Sequence, residues 1–218
     1  MNNDKTDGQG QAAPDVPAPV SLDEMRRLTR LVLWAALIGA GGWLNIPLAW
    51  APISMQTFFV LLAGLIEGPR LGAMAAGLYL LAGLLGLPVF TGGVGGPAII
   101  FRPSAGFALA FPLGAALAGL GSSRFRGKFS FGRAFVMAVL GSLAILALGF
   151  VGLLVNTGLS PAAAGLTLLT FVPGDLAKSG AAASIASARL FSRRGLAEPP
   201  PAGLKGDAEA AAGPEPRE

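Results

Sequence analysis

FVMAVLGSLAILALGFVGLLV, residues 135–155, runs for 21 residues without a charge. A helix needs roughly 20 apolar residues to cross the hydrocarbon core of a bilayer, and this stretch has that length. The strands of a membrane β-barrel alternate polar and apolar residues over about ten positions. Neither this run nor LWAALIGAGGW at residues 33–43 alternates. The segment reads as a helix whose solvent is lipid.

The composition extends that reading to most of the chain. Of 218 residues, 53% are hydrophobic and 13% charged, against about 25% charged in soluble domains. Apolar runs punctuated by Gly and Pro predict six spans at about 27–45, 53–67, 70–87, 104–121, 133–156 and 173–191. The expected fold class is all-α, a polytopic membrane protein with a six-transmembrane-helix bundle over 26–194. The polar, Pro-rich segments 1–25 and 195–218 are expected to be disordered tails. In SPAAAGLTLLTF, residues 160–171, Ser160 is a good N-cap and Pro161 suits the first helical position. That helix is too short to span, so a short extra helix should precede the last span.

Orientation follows from the basic residues. Arg26, Arg27 and Arg30, then Arg70, then Arg124, Arg126, Lys128 and Arg133, and finally Arg189, Arg193 and Arg194 all fall on one side of a six-span bundle. The loops of the other side have Arg102. The positive-inside rule makes the basic side cytoplasmic, with both termini there and the chain multi-pass in the inner (plasma) membrane. The clusters serve topology, and no nucleic-acid partner is expected. Glu67 and Arg70, in EGPR, are expected to pair across a tight turn.

The chain has neither His nor Cys. An intramembrane Ser/His dyad and an HExxH zinc site both need imidazole, and thiolate metal sites and disulfides need Cys. No enzyme, cofactor or metal is therefore expected.

The charges that break the pattern lie in FVPGDLAKSG, residues 171–180. Asp175 and Lys178 stand three apart at the start of the last span, hence on one face of its helix. An ionisable group at membrane depth costs several kcal/mol unless it faces a polar cavity or a partner, so both should point into the bundle. They form either an ion pair that fixes helix packing or a ligand site. A second break is LPVFTGGVGGPAIIFRPS, residues 87–104, with four glycines and three prolines. It is either a plain long loop or a lid over an outward-facing pocket. In the lid reading Gly92 and Gly93 allow close backbone approach to a ligand, and Arg102 stands at the mouth. The third break is the polar trio Ser54, Gln56 and Thr57 in the second span. Ser54 and Thr57 are expected to bond a neighbouring helix, whereas Gln56 is a pocket candidate. In the first span AALIGAGG spaces small residues at Ala35, Ala36, Gly39 and Ala40, which permits close helix contact inside the bundle or with another subunit.

Taken in order, PISMQT (52–57), EGPR (67–70), GLPVFTGG (86–93) and PGDLAK (173–178) give the chain a specific likeness over about residues 29–191. It resembles the BioY family, the biotin-specific substrate-binding (S) components of energy-coupling factor (ECF) transporters. Arg102 and Ala105 depart from that family's pattern, which has glycines there. The resemblance implies a subunit that binds biotin from outside and works with a transmembrane coupling subunit and two ATPases. This chain has no G-x-x-x-x-G-K-[ST] loop, so ATP hydrolysis would fall to those partners. It also implies that Asp175 and Lys178 are the polar binding pair and that Tyr79 and Gln56 are pocket walls; if the chain couples to a partner, the small face at Ala36 and Ala40 is the candidate partner contact, since bulk there prevents close helix approach. Phe90, Phe107 and Phe111 are wall candidates equally explained by packing. The competing classes are a passive channel for small solutes, an S component for a different vitamin, and a structural membrane partner without a ligand.

Overall fold

The computed structural model describes residues 21–46, 53–124 and 130–195. The expected tails fall outside these residues up to 20 and from 196, as do Arg126 and Lys128. Seven helices are described. They are α1 (Leu22–Gly41), α2 (Gln56–Glu67), α3 (Pro69–Leu84), α4 (Ala105–Arg124), α5 (Phe131–Thr157), α6 (Pro161–Leu169) and α7 (Val172–Gly195). The short extra helix before the last long one is present as α6. Ser160 Oγ accepts from the Ala163 N–H at its start and Pro161 follows, which fixes where the chain turns back toward α7.

Three local features depart from expectation. Residues 22–25 belong to α1 rather than to a tail. Ser21 and Glu24 form a reciprocal capping box that starts the helix early, and the Ser21 N–H holds the Glu24 carboxyl below its usual range. The second departure is a two-stranded antiparallel ribbon, β1 (Asn45–Ile46) with β2 (Ile53–Ser54), where a helix end and a helix start were expected. Lastly, Glu67 does not pair with Arg70. Gly68 has φ 85°, breaking the helix between them, so the one-face geometry of i, i+3 is lost. Glu67 instead accepts from Arg30 Nη1 at 3.1 Å and from Trp34 Nε1 at 3.1 Å, pinning α1 to the α2–α3 corner.

The outer surface is unlike that of a soluble domain. On α5, the buried face combines the small residues Ala134, Ala138, Gly141, Ser142, Gly149 and Gly152 with Ile145, Leu146 and Leu153, while Val136, Leu140, Leu143 and Val151 are exposed. Large apolar side chains are likewise exposed on α1, α3 and α4, at Val32, Leu33, Leu78, Leu81, Leu109 and Leu113. Water would penalise such a surface, and a bilayer would not. Small residues inside let backbones approach, which is how helices associate where lipid removes the hydrophobic drive. Gly106 of α4 lies on Gly152 of α5 so closely that a Cβ added at Gly106 would collide with the Leu148 carbonyl oxygen.

Among the described residues α5 is the one helix long and apolar enough to cross a membrane by itself. The helices α2, α3 and the Ala105–Leu120 part of α4 are apolar but shorter. Two ends of the bundle are distinct. One gathers Arg30, Glu67 and the Gly68–Pro69 corner, against which Gly119 packs. At the other, Asn156 Nδ2 near the end of α5 donates to the carbonyls of Ile100 and Arg102.

The tight α4–α5 approach predicts opposite outcomes for two glycines. Gly106→Ala should destabilise by about 1–3 kcal/mol, the usual cost of overpacking. Gly77→Ala, which meets open space on α3, should be neutral or stabilise by up to about 1 kcal/mol. Thermal unfolding in detergent separates them, and equal midpoints would show that the α4–α5 contact is loose.

Candidate functional site

The start of α7 is built by its sequence. Pro173 suits a helix beginning, and the Asp175 N–H closes the first turn on the Phe171 carbonyl at 2.9 Å. Asp175 is thereby held in the first turn, where a carboxylate meets the positive end of the helix dipole. Lys178 follows one turn on. Its Nζ donates to Asp175 Oδ1 at 3.2 Å, with Asp175 6% and Lys178 8% exposed. From α5, Ser142 Oγ donates to Asp175 Oδ2 at 3.1 Å. Ser179, one residue beyond Lys178, is fully buried, and its hydroxyl finds no partner among the described residues.

Asp175 and Lys178 line a cavity whose remaining polar groups come from other elements: Ser54 of β2, Gln56 and Thr57 of α2, Tyr79 of α3, Thr91 of the following loop and Ser104 before α4. The walls between are apolar and largely aromatic. Phe107 lies over Phe171 with centroids 5.6 Å apart, and Tyr79 packs against Phe90 edge-on at 5.5 Å and Phe111 at 5.9 Å. Such rings present flat apolar faces at fixed spacing.

Gln56 is the hub of the second polar group. Its Nε2 donates to the Tyr79 hydroxyl at 2.6 Å and toward the Val89 carbonyl at 3.4 Å. Its Oε1 accepts from Thr91 Oγ1 at 2.7 Å and from Ser54 Oγ at 3.4 Å. Ser54 therefore serves Gln56 within its own segment rather than a neighbouring helix, and Ser54 and Thr57 both line the cavity. The bonds to Val89 and Thr91 hold the glycine-rich loop against α2.

The structure thus brings four of the expected residues, Gln56, Tyr79, Asp175 and Lys178, to one cavity, along with Phe90, Phe107 and Phe111. Gly92 and Gly93 lie off its wall, in the turn between the paired residues Phe90 and Val94. Their φ values of 83° and 70° are the left-handed conformations that turn requires. Arg102 is exposed after the 3-10 turn Pro97–Phe101 and lies off the cavity wall. Ala36 and Ala40 lie exposed on α1, on the side away from buried Leu31, Trp34 and Ile38.

Sequence reasoning missed Ser142, Thr91 and Ser104. For Ser142 a signal existed, because it is the one hydroxyl in the 21-residue run 135–155. Thr91 sits beside Gly92 in a loop whose glycines drew the attention, and Ser104 beside Pro103 looks like an ordinary helix start.

A helical bundle with leucines outward and an aromatic-walled cavity lined by a buried charge pair fits a membrane protein with a small-molecule site. Residues 12–194 match the BioY family model, and the chain belongs to that family. A probable biotin transporter BioY of Pyrococcus horikoshii is 34% identical over 161 residues, covering 74% of this chain and 94% of that one. The biotin transporter BioY of Rhizobium etli is 35% identical over 172 residues, covering 75% and 92%, and that of Rhodobacter capsulatus 39% over 165 residues, covering 70% and 87%. The crystal structure of the S-component for biotin from an ECF-type ABC transporter matches with a TM-score of 0.73 at 28% identity, covering 80% of this chain and 95% of that chain.

The ion pair predicts a specific mutant pattern. Asp175→Asn and Lys178→Met each strand a buried partner, and breaking a buried pair costs about 3–5 kcal/mol. Each single variant should melt earlier in detergent, and the double variant should recover stability. If the pair also holds ligand, the double variant recovers stability without recovering binding. Recovery of both would reduce the pair to packing.

Proposed function

We propose that this chain is the biotin-binding membrane subunit of an ECF-type uptake system, a transport component and not an enzyme. The observation that carries the reading is the buried Asp175–Lys178–Ser142 cluster opening on an aromatic-walled cavity. Biotin offers a ureido ring with two N–H donors and a carbonyl, an apolar thiophane ring and a carboxylate tail. Asp175 accepts the ureido N–H groups, Lys178 donates to the ureido carbonyl, and the rings enclose the thiophane. A few fixed polar groups in an apolar concavity are what a small-molecule site needs.

The finer architecture belongs to the same proposal. Six spans place the Arg30–Glu67 end of the bundle and both termini in the cytoplasm, because the basic residues gather there. The cavity then opens outward, in the plasma membrane. With no phosphate-binding loop of its own, the chain draws energy from two separate ATPase subunits through a transmembrane coupling subunit. Ala36 and Ala40, exposed and small, are the face that lets a partner helix approach.

Purified in detergent, the protein should retain biotin at a one-to-one ratio. A passive channel retains none, and a subunit for another vitamin retains that vitamin instead. Ala36→Trp should bind biotin normally yet lose uptake in cells. Parallel loss of binding would make that face internal packing. Orientation is read from impermeant thiol labelling of intact cells: a Cys replacing Ala162 on exposed α6 should react and one replacing exposed Gly132 should not. The reverse pattern overturns the assignment of sides.

A further inference from the structure

The hydrogen bonds of Gln56 assign a chemical sense to the cavity wall at Tyr79. The Val89 carbonyl can only accept, so the atom of the Gln56 amide facing it is Nε2. Nε2 therefore also donates to the Tyr79 hydroxyl, at 2.6 Å, while Oε1 takes the protons of Thr91 and Ser54. Both amide hydrogens and both acceptor positions of Gln56 are then engaged, so Gln56 has nothing left to offer a ligand. The Tyr79 hydroxyl is used as an acceptor by Gln56 and makes no second hydrogen bond among the described residues. Its own proton is left to donate, and Tyr79 lines the cavity. The ring cannot swing away, since Tyr79 is 1% exposed and wedged between Phe90 and Phe111.

We propose that Tyr79 is a dedicated hydrogen-bond donor to a ligand acceptor, and that Thr91 and Gln56 are positioning residues that fix it in that sense. Resting on the biotin reading, the assignment gives the acceptor as the tail carboxylate. On that reading the ureido ring is at Asp175 of α7, whereas Tyr79 lines the cavity from α3, a different helix. The cavity then makes opposite demands at two of its lining residues: an acceptor for N–H groups at Asp175, and a donor for an oxygen at Tyr79.

Equilibrium binding of two ligands, biotin and an analogue whose side chain ends in a methyl group, tests this. Tyr79→Phe should weaken biotin by about ten- to a hundredfold, the worth of a hydrogen bond to a charged group, and leave the analogue unchanged. Thr91→Val cannot donate to Gln56 and should weaken biotin selectively, whereas Thr91→Ser should behave as wild type. Equal loss of both ligands in Tyr79→Phe would make the tyrosine a packing residue, and unchanged biotin affinity would remove it from recognition. Both outcomes overturn the proposal while leaving biotin as the ligand. Wild-type protein that binds neither ligand would instead overturn the functional reading beneath it.

Discussion

The rest of the molecule is arranged around the buried ion pair of Asp175 and Lys178. Two charges taken out of water carry a desolvation penalty of several kcal/mol each, and mutual attraction repays it only with good geometry and further hydrogen bonds. The fold supplies these in three ways. The Pro173 helix start presents Asp175 to the dipole. The i, i+3 spacing brings Lys178 within 3.2 Å, and α5 contributes the Ser142 hydroxyl. That last bond requires α5 to pass close to α7. The position is secured from the other side by the glycine-lined contact of α5 with α4. The short α6 returns the chain so that α7 can begin beside the cavity.

Packing then follows from the distribution of side-chain sizes. Small residues inside allow helices to close on one another, and large ones outside meet lipid. The cavity is walled by aromatic rings, at Tyr79, Phe90, Phe107, Phe111 and Phe171. Phe90 belongs to the glycine-rich loop, so that loop is part of the cavity wall. Its anchoring through Thr91 and Val89 to Gln56 makes the roof continuous with α2.

The sequence was most legible where one residue type carries one physical demand. The 21-residue apolar run is α5, the Ser160–Pro161 start is α6, and the Asp175–Lys178 spacing is an ion pair. It was least legible where a contact joins distant segments. Arg70 is nearest to Glu67 in sequence, yet a left-handed Gly68 turns it aside and Arg30, 37 residues away, takes its place. Ser142 gave a local signal, but nothing in α5 says which helix its hydroxyl will meet. The ribbon of Asn45–Ile46 with Ile53–Ser54 has two residues per strand, too few for any periodicity to register. The glycines at 92 and 93 were read for proximity to a ligand, whereas their φ values express the needs of a turn.

The packing and ligand readings of the ion pair need not compete. An ionised carboxylate has about four lone-pair sites. In the structure Lys178 occupies one on Oδ1 and Ser142 one on Oδ2. Two remain, which equals the number of N–H groups on a ureido ring. Lys178 has spent one of its three N–H donors on Asp175 and keeps two. On the proposed biotin reading, a ureido ligand would complete the valences of both side chains without breaking the bond between them. A pair expensive to bury thus lines the cavity with unspent acceptor and donor positions instead of being sealed between helices, and that unspent polar capacity is what the proposed ligand reading uses.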